Sequence, residues 1–284
     1  MINAATRMVA VLGYPVRHSK SPLIHNASFQ AQGLNFAYCA AEVHPDRIRD
    51  AVLGLQALGF AGANVTIPHK EAVVALMDEL SSTAQATRAV NTIVCRTRED
   101  GSGYLFGDNT DVAGFMAPLH AFADELRGEH LVIFGAGGAT RAVVYGLLRD
   151  LEPASLTLLV RNQGKAAQVL KRLEAFDPHR VLRLESFDSG AETVQKARLV
   201  VNGTPLGMAP HTDATPWPNT GHFGTHTIGY DLVYNPKHTR FLQEIAARGG
   251  QIITGEQMFL GQAAAAYTLW TGQTMDWAVA EAHL

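Results

Sequence analysis

Runs rich in Val, Ile and Leu recur along the chain, with amphipathic stretches between them. In the first half MVAVLG, FAYCAAEV, ANVTIP, VNTIVCR and the short run before Asp108 read as strands. SPLIHNASFQAQ, DRIRDAVLGLQALG and a stretch from about Glu71 to Thr87 read as helices, the first with hydroxyl and proline start signals at Ser21 and Pro22. In NVTIPHK, Val65 and Ile67 alternate with polar neighbours until Pro68 stops the run and delivers His69 and Lys70. The second half opens with HLVIFGAGGATRAVVYGLL, a strand, a glycine turn and a helix. It continues through LTLLV, a helix from about 163 to 176, RLVVNGT, HTIGYDLVY, the helix TRFLQEIAARGG, the strand QIITG and a last helical stretch, EQMFLGQAAAAYTLW. The alternation predicts an α/β protein built of βα units on a mostly parallel sheet. The clearest boundary lies between Asp111 and Gly128, where one βα series ends and the glycine-rich unit begins.

A length of 284 residues makes two domains the natural expectation, and a hydrophobic fraction of 47% can fill their cores. A net charge of −3 with scattered Lys and Arg argues against nucleic-acid or anionic-lipid partners. Cys39 and Cys95 sit in apolar runs and read as buried reduced thiols, with no disulfide framework. No metal site is expected. The N-terminal apolar patch is too short for a signal peptide and no run reaches membrane-span length, so a cytoplasmic protein is expected.

VIFGAGGATRAV carries the strongest local signal. Gly135, Gly137 and Gly138 follow a strand and lead straight into a helix, which suits a pyrophosphate held by backbone N–H groups at the helix start. Thr140 departs from the Gly or Ala usual at the last position of this pattern. The next strand ends LTLLVRNQGKAA, with Arg161 and Lys165 and no acid. Two cations without a carboxylate favour a ribose 2′-phosphate, hence NADP over NAD.

Lys70 follows a strand, and Asp111 closes the polar cluster Asp108–Asn109–Thr110–Asp111 after another. Beside a dinucleotide site a Lys–Asp pair suits a dehydrogenase, which removes a proton from a carbinol oxygen as hydride leaves its carbon. Ser19 and Ser21 flank Lys20 before a helix N-terminus and can donate to a small carboxylate, although Ser21 reads equally as a plain N-cap.

With GYPVRHSKSPLIHN, NVTIPHK, AVNTI, GDNTDVAGF, GAGGA, YDLVYNP and the late glutamine of GQAAAAY in order, the chain resembles the shikimate dehydrogenase family over nearly its whole length. The resemblance implies NADP-dependent, reversible reduction of 3-dehydroshikimate to shikimate, with Lys70 and Asp111 as the catalytic dyad. It implies that Ser19 and Ser21 hold the substrate carboxylate, that Thr66, Asn91 and Asp111 meet ring hydroxyls, and that Tyr234 and Gln262 are late substrate contacts. Gly135, Ala136, Gly137, Gly138 and Ala139 match the phosphate turn, Arg161 and Lys165 the 2′-phosphate clamp, and Leu232 and Gly255 positions near the nicotinamide. The implied fold has a discontinuous substrate domain, 1–112 plus 251–284, and an inserted Rossmann-type domain, 113–250, with the active site in the cleft between them. His69, where many relatives carry Phe, reads as a helix cap rather than a substrate contact. The chain would act as a monomer or homodimer on a small molecule. A quinate/shikimate or aminoshikimate dehydrogenase is the near alternative, from which Ser21 leans away because quinate-preferring relatives often have Thr there. A non-catalytic dinucleotide sensor is the distant one, and it gives the dyad no purpose.

Overall fold

The computed structural model describes residues 2–284, apart from the side chains of Lys165 and Val169. Its contacts divide the chain into two units. Unit 1 holds the chain up to Ala113 together with Gln262–Leu284, and unit 2 holds Gly114–Gly261.

Unit 1 comprises β1 (Arg7–Gly13), α1 (Ser21–Ala31), β2 (Phe36–Glu42), α2 (Ile48–Ala57), β3 (Gly62–Val65), β4 (Glu79–Leu80), α3 (Ser82–Thr87), β5 (Thr92–Thr97), β6 (Gly103–Asp108) and the start of α4 (Thr110–Met116). The strands form one sheet in the order β2-β1-β3-β5-β6-β4. The β1–β2, β1–β3 and β4–β6 pairs are parallel, whereas β3–β5 and β5–β6 are antiparallel. The sheet is therefore mixed, with three of its five strand pairs parallel. β5 and β6 are joined by a short turn in which Asp100 accepts the Ser102 N–H at 2.8 Å, and so short a connection permits only antiparallel pairing.

The expected helix over 71–87 is replaced by turns, a single 3₁₀ turn at Val74–Leu76, β4 and α3. The edge of β6 recruits this segment. Asp78 N–H donates to the Leu105 carbonyl at 2.9 Å while the Asp78 carboxylate accepts the Leu105 N–H at 2.7 Å. Ser81 then caps α3, its hydroxyl accepting the Ala84 N–H.

Val9 to Leu12 of the central β1 are buried throughout. On one face α2 packs Ile48, Val52 and Leu55 against Ala10, Leu12, Ala63 and Val65. The other face carries an aromatic cluster of His25, Phe29, Tyr38, Tyr267 and Trp270. The Trp270 indole N–H donates to the Ile93 carbonyl at 3.0 Å. That approach needs Gly62, since a Cβ there would lie 2.1 Å from the same carbonyl and 2.5 Å from the indole nitrogen.

Unit 2 contains the end of α4, then α5 (Ala123–Leu126), β7 (His130–Phe134), α6 (Thr140–Leu151), β8 (Ser155–Val160), α7 (Gln163–Leu173), β9 (Leu182–Ser186), α8 (Ala191–Lys196), β10 (Leu199–Asn202), β11 (Ile228–Asp231), α9 (Arg240–Ala246), β12 (Gln251–Ile253) and the start of α10 (Gly255–Thr271). The remainder of α10 and the final α11 (Trp277–Glu281) belong to unit 1. All five strand pairs of unit 2 are parallel, in the order β12-β11-β10-β7-β8-β9. This is the doubly wound Rossmann order, with its switch point between β7 and β10. β9 and α8 have no counterpart in the sequence reading. LRLES is only half-buried at the sheet edge and lacks a clean alternation.

Neither cysteine is buried as expected: Cys95 is half-buried, and Cys39 is exposed because β2 is an edge strand. Among the described residues no helix is long and apolar enough to cross a membrane, and no three His, Cys, Asp or Glu side chains cluster as metal ligands.

Candidate active site

In unit 1 the polar residues collect at strand ends. β3 finishes at Val65, and the turn that follows is set by His69 N–H donating to the Thr66 carbonyl at 2.9 Å. His69 is buried, its Nε2 lying 2.8 Å from the Val43 carbonyl, so it anchors the turn and caps no helix. Lys70 emerges part-exposed, and its Nζ donates to Asp111 Oδ2 at 2.6 Å. Asp111 stands in the first turn of α4, 14% exposed. Its other oxygen accepts from Asn91 Nδ2 at 2.7 Å. Lys70, Asn91 and Asp111, from three separate segments, thus form one hydrogen-bonded group. Asp108 lies beside it as a brace, accepting from Ser81, from Thr83 at 2.6 Å and from the Asn109 N–H at 2.7 Å.

The serines sit on the segment after β1. Lys20 is the N-cap of α1 but makes no side-chain cap, so Ser21 is the first helical residue rather than the cap. Ser19 Oγ accepts the Ser21 N–H at 3.3 Å, and Ser21 itself is buried. Thr66 is half-buried, its methyl lying where a Cβ on Gly13 would fall, so the ends of β1 and β3 adjoin. Gln262 is half-buried on α10.

In unit 2, Gly135 follows β7 with φ +94°, a conformation that L side chains rarely adopt, and a Cβ there would strike the Thr204 methyl at 2.6 Å. Ala136, Gly137, Gly138 and Ala139 complete the turn into the twelve-residue α6. A Cβ at Gly138 would meet no atom within 4 Å, which leaves the open approach to backbone N–H groups that a pyrophosphate requires. Thr140 is fully buried, and close packing is managed across the switch point: a Cβ on Gly203 would lie 3.2 Å from the Phe134 carbonyl. Arg161 is exposed just beyond β8 with no acid among residues 161–167, which fits a 2′-phosphate. The side chain of Lys165 lies outside the described residues.

Leu232 and Gly255 come together, since a Cβ on Gly255 would sit 2.9 Å from the Leu232 carbonyl. Tyr234 stacks on Phe259 with ring centroids 5.3 Å apart. The loop that carries Leu232 and Tyr234 is held by Asp231, which the sequence reading missed. Asp231 is fully buried and accepts from Asn202 Nδ2 at 2.9 Å, the Val233 N–H at 2.9 Å and the Thr239 hydroxyl at 2.5 Å. Burial pushes its carboxyl up to about 6, against those three donors. An acid closing the apolar strand IGYD was the signal available. Tyr38, Asn64 and Thr92, buried beneath the Lys70 group, were also not recognised as part of the site.

Residues 11–93 match the family described as shikimate dehydrogenase substrate binding domain, and residues 255–284 the shikimate 5′-dehydrogenase C-terminal domain. A shikimate dehydrogenase (NADP(+)) of Salinibacter ruber is 51% identical over 96% of this chain and 95% of its own. Among solved structures, a shikimate dehydrogenase in complex with NADP+ superposes with a TM-score of 0.90 at 34% identity, covering 100% of this chain and 96% of that one. A quinate dehydrogenase from Corynebacterium glutamicum in complex with NAD has a TM-score of 0.89 at 26% identity, covering 98% of each. With its mixed-sheet unit, its Rossmann unit and a relative at half identity along nearly its full length, this chain belongs to the shikimate dehydrogenase family.

Proposed function

We propose that the chain catalyses the reversible, NADP-dependent interconversion of 3-dehydroshikimate and shikimate, with Lys70 and Asp111 handling the proton of the carbinol oxygen. The observation that carries this reading is the Lys70–Asp111 contact of 2.6 Å, with Asn91 on the second carboxylate oxygen. Bound NADP supplies the hydride acceptor or donor. The ammonium of Lys70 has three donors and gives one to Asp111, so two are left for a substrate oxygen. In the oxidation direction the Lys70–Asp111 pair takes up the hydroxyl proton as hydride departs, and it returns that proton in reduction. Asn91 Nδ2 keeps one hydrogen for a neighbouring ring hydroxyl. Ser19 and Ser21 receive the carboxylate, and Thr66, Tyr234 and Gln262 complete the substrate contacts. The turn Gly135–Ala139 takes the pyrophosphate, Arg161 and Lys165 the 2′-phosphate, and Leu232 and Gly255 flank the nicotinamide. Most of the substrate contacts fall to unit 1 and dinucleotide binding to unit 2.

Initial rates with shikimate and with quinate, each with NADP and with NAD, test the reading. A kcat/KM for shikimate with NADP far above the other three combinations is expected. Comparable rates with quinate or with NAD would place the chain with a broader-specificity branch and remove the discriminating roles given to Ser21 and Arg161.

A further inference from the structure

Tyr38, Asn64 and Thr92 are 4%, 5% and 0% exposed, on β2, β3 and the first position of β5. The Tyr38 hydroxyl donates to Asn64 Oδ1 at 2.7 Å. Asn64 Nδ2 donates to the Asn91 backbone carbonyl at 3.2 Å and to Thr92 Oγ1 at 3.1 Å. This amide has one workable orientation, because a flip would set its oxygen against that carbonyl. Asn91 is fixed in the same way. Its Oδ1 accepts the Thr110 backbone N–H at 2.7 Å and is reached by the Thr92 and Thr110 hydroxyls at 3.0 and 3.1 Å. Nδ2 of Asn91 must therefore face Asp111.

The Tyr38 ring stacks on His25 at 4.5 Å and 2°. Neither ring nitrogen of His25 has a hydrogen-bond partner, so His25 acts by packing alone and sets the plane of Tyr38.

We propose that Tyr38 and Thr92 are positioning residues: they are links of a buried chain, Tyr38–Asn64–Thr92–Asn91–Asp111, that fixes the Lys70–Asp111 pair through the Asn91 amide. The proposal rests on the reaction assigned above. The chain holds the Asn91 amide in the one orientation that donates to Asp111, and so sets the carboxylate that pairs with Lys70.

Three single variants and one double variant test it. Tyr38→Phe keeps the ring on His25 and loses only the phenol oxygen. Thr92→Val keeps the shape and loses the hydroxyl, and Thr92→Ser keeps the hydroxyl. Tyr38→Phe and Thr92→Val should each lower kcat for shikimate about fivefold to tenfold, with KM for NADP unchanged. Thr92→Ser should recover most of the loss, and the double variant should lose little more than either single one, because one chain is broken once. Additive losses, undiminished kcat, or equal loss in Thr92→Val and Thr92→Ser would overturn the proposal. A measurement independent of turnover is the side-chain amide signals of Asn91 in ¹⁵N-labelled protein. They should shift in Tyr38→Phe, three links away along the chain, and unchanged signals would also overturn it. Should the parent protein not oxidise shikimate, the assigned reaction fails, while the amide signals still decide whether the chain exists.

Discussion

Asp231 and Lys70 show how differently a charged side chain is used once its surroundings are known. Asp231 ionises in a buried site, and its folded value of about 6 stands above the ordinary 3.8 because burial penalises the charge. The folded state therefore holds the proton more tightly than the unfolded chain. The resulting stabilisation is full below about pH 3.8 and is lost as pH rises through 6, roughly 3 kcal/mol in all. Asp231→Asn removes this titration, so in urea melts the variant should gain on the parent by up to about 3 kcal/mol between pH 4 and 6.5. A difference that stays constant over that range would contradict it. Lys70, in the function proposed above, serves chemistry instead. Lys70→Ala should cut kcat by about 10²–10⁴-fold. Affinity for NADP, which the Rossmann unit binds, should be retained, and a variant with parental kcat would end the assignment of the dyad. The pairing of Lys70 with Asp111 was legible because both residues stand after strands and are of types that suit proton transfer. Asp231 was not, because a lone acid at a strand end says nothing about whether water reaches it.

At the scale of elements, long buried strands and strongly amphipathic helices were readable, and the segment after Lys70 was not. Residues 71–87 have helical composition, yet pairing with β6 and the Asp78–Leu105 bonds outweigh local propensity over half of the stretch. Two glycines make the role of packing testable. Gly62→Ala would drive a methyl into the Ile93 carbonyl and Trp270, and should destabilise the protein by about 2–3 kcal/mol. Gly54→Ala, inside α2 with nothing within 4 Å, should stabilise it by about 0.5–1 kcal/mol. Thermal melts of the two variants should move in opposite directions, and movement in the same direction would show that the Gly62–Trp270 contact has been misjudged.

For the whole molecule the telling feature is that unit 1 is discontinuous in sequence. Its aromatic cluster needs Tyr267 and Trp270, which the chain supplies only after unit 2 is complete. Residues 1–113 produced alone should lose near-UV ellipticity and bind hydrophobic dye, whereas residues 114–261, a continuous unit with all its strands, should melt cooperatively. Cooperative melting of 1–113 would show that the returning helices are dispensable. What the sequence by itself determined is what local chemistry can encode: apolar runs of the right period for strands and helices, a glycine turn ahead of α6, a cation without an acid after β8, and the residue types of a proton-transferring pair. Motif order added the family. Only the tertiary structure decided the antiparallel turn of β5 and β6, the orientation of the Asn64 and Asn91 amides, the burial of Asp231 and the exposure of Cys39. These depend on partners from one to about thirty residues away, and no local pattern specifies which partner will close the hydrogen bond or exclude the water.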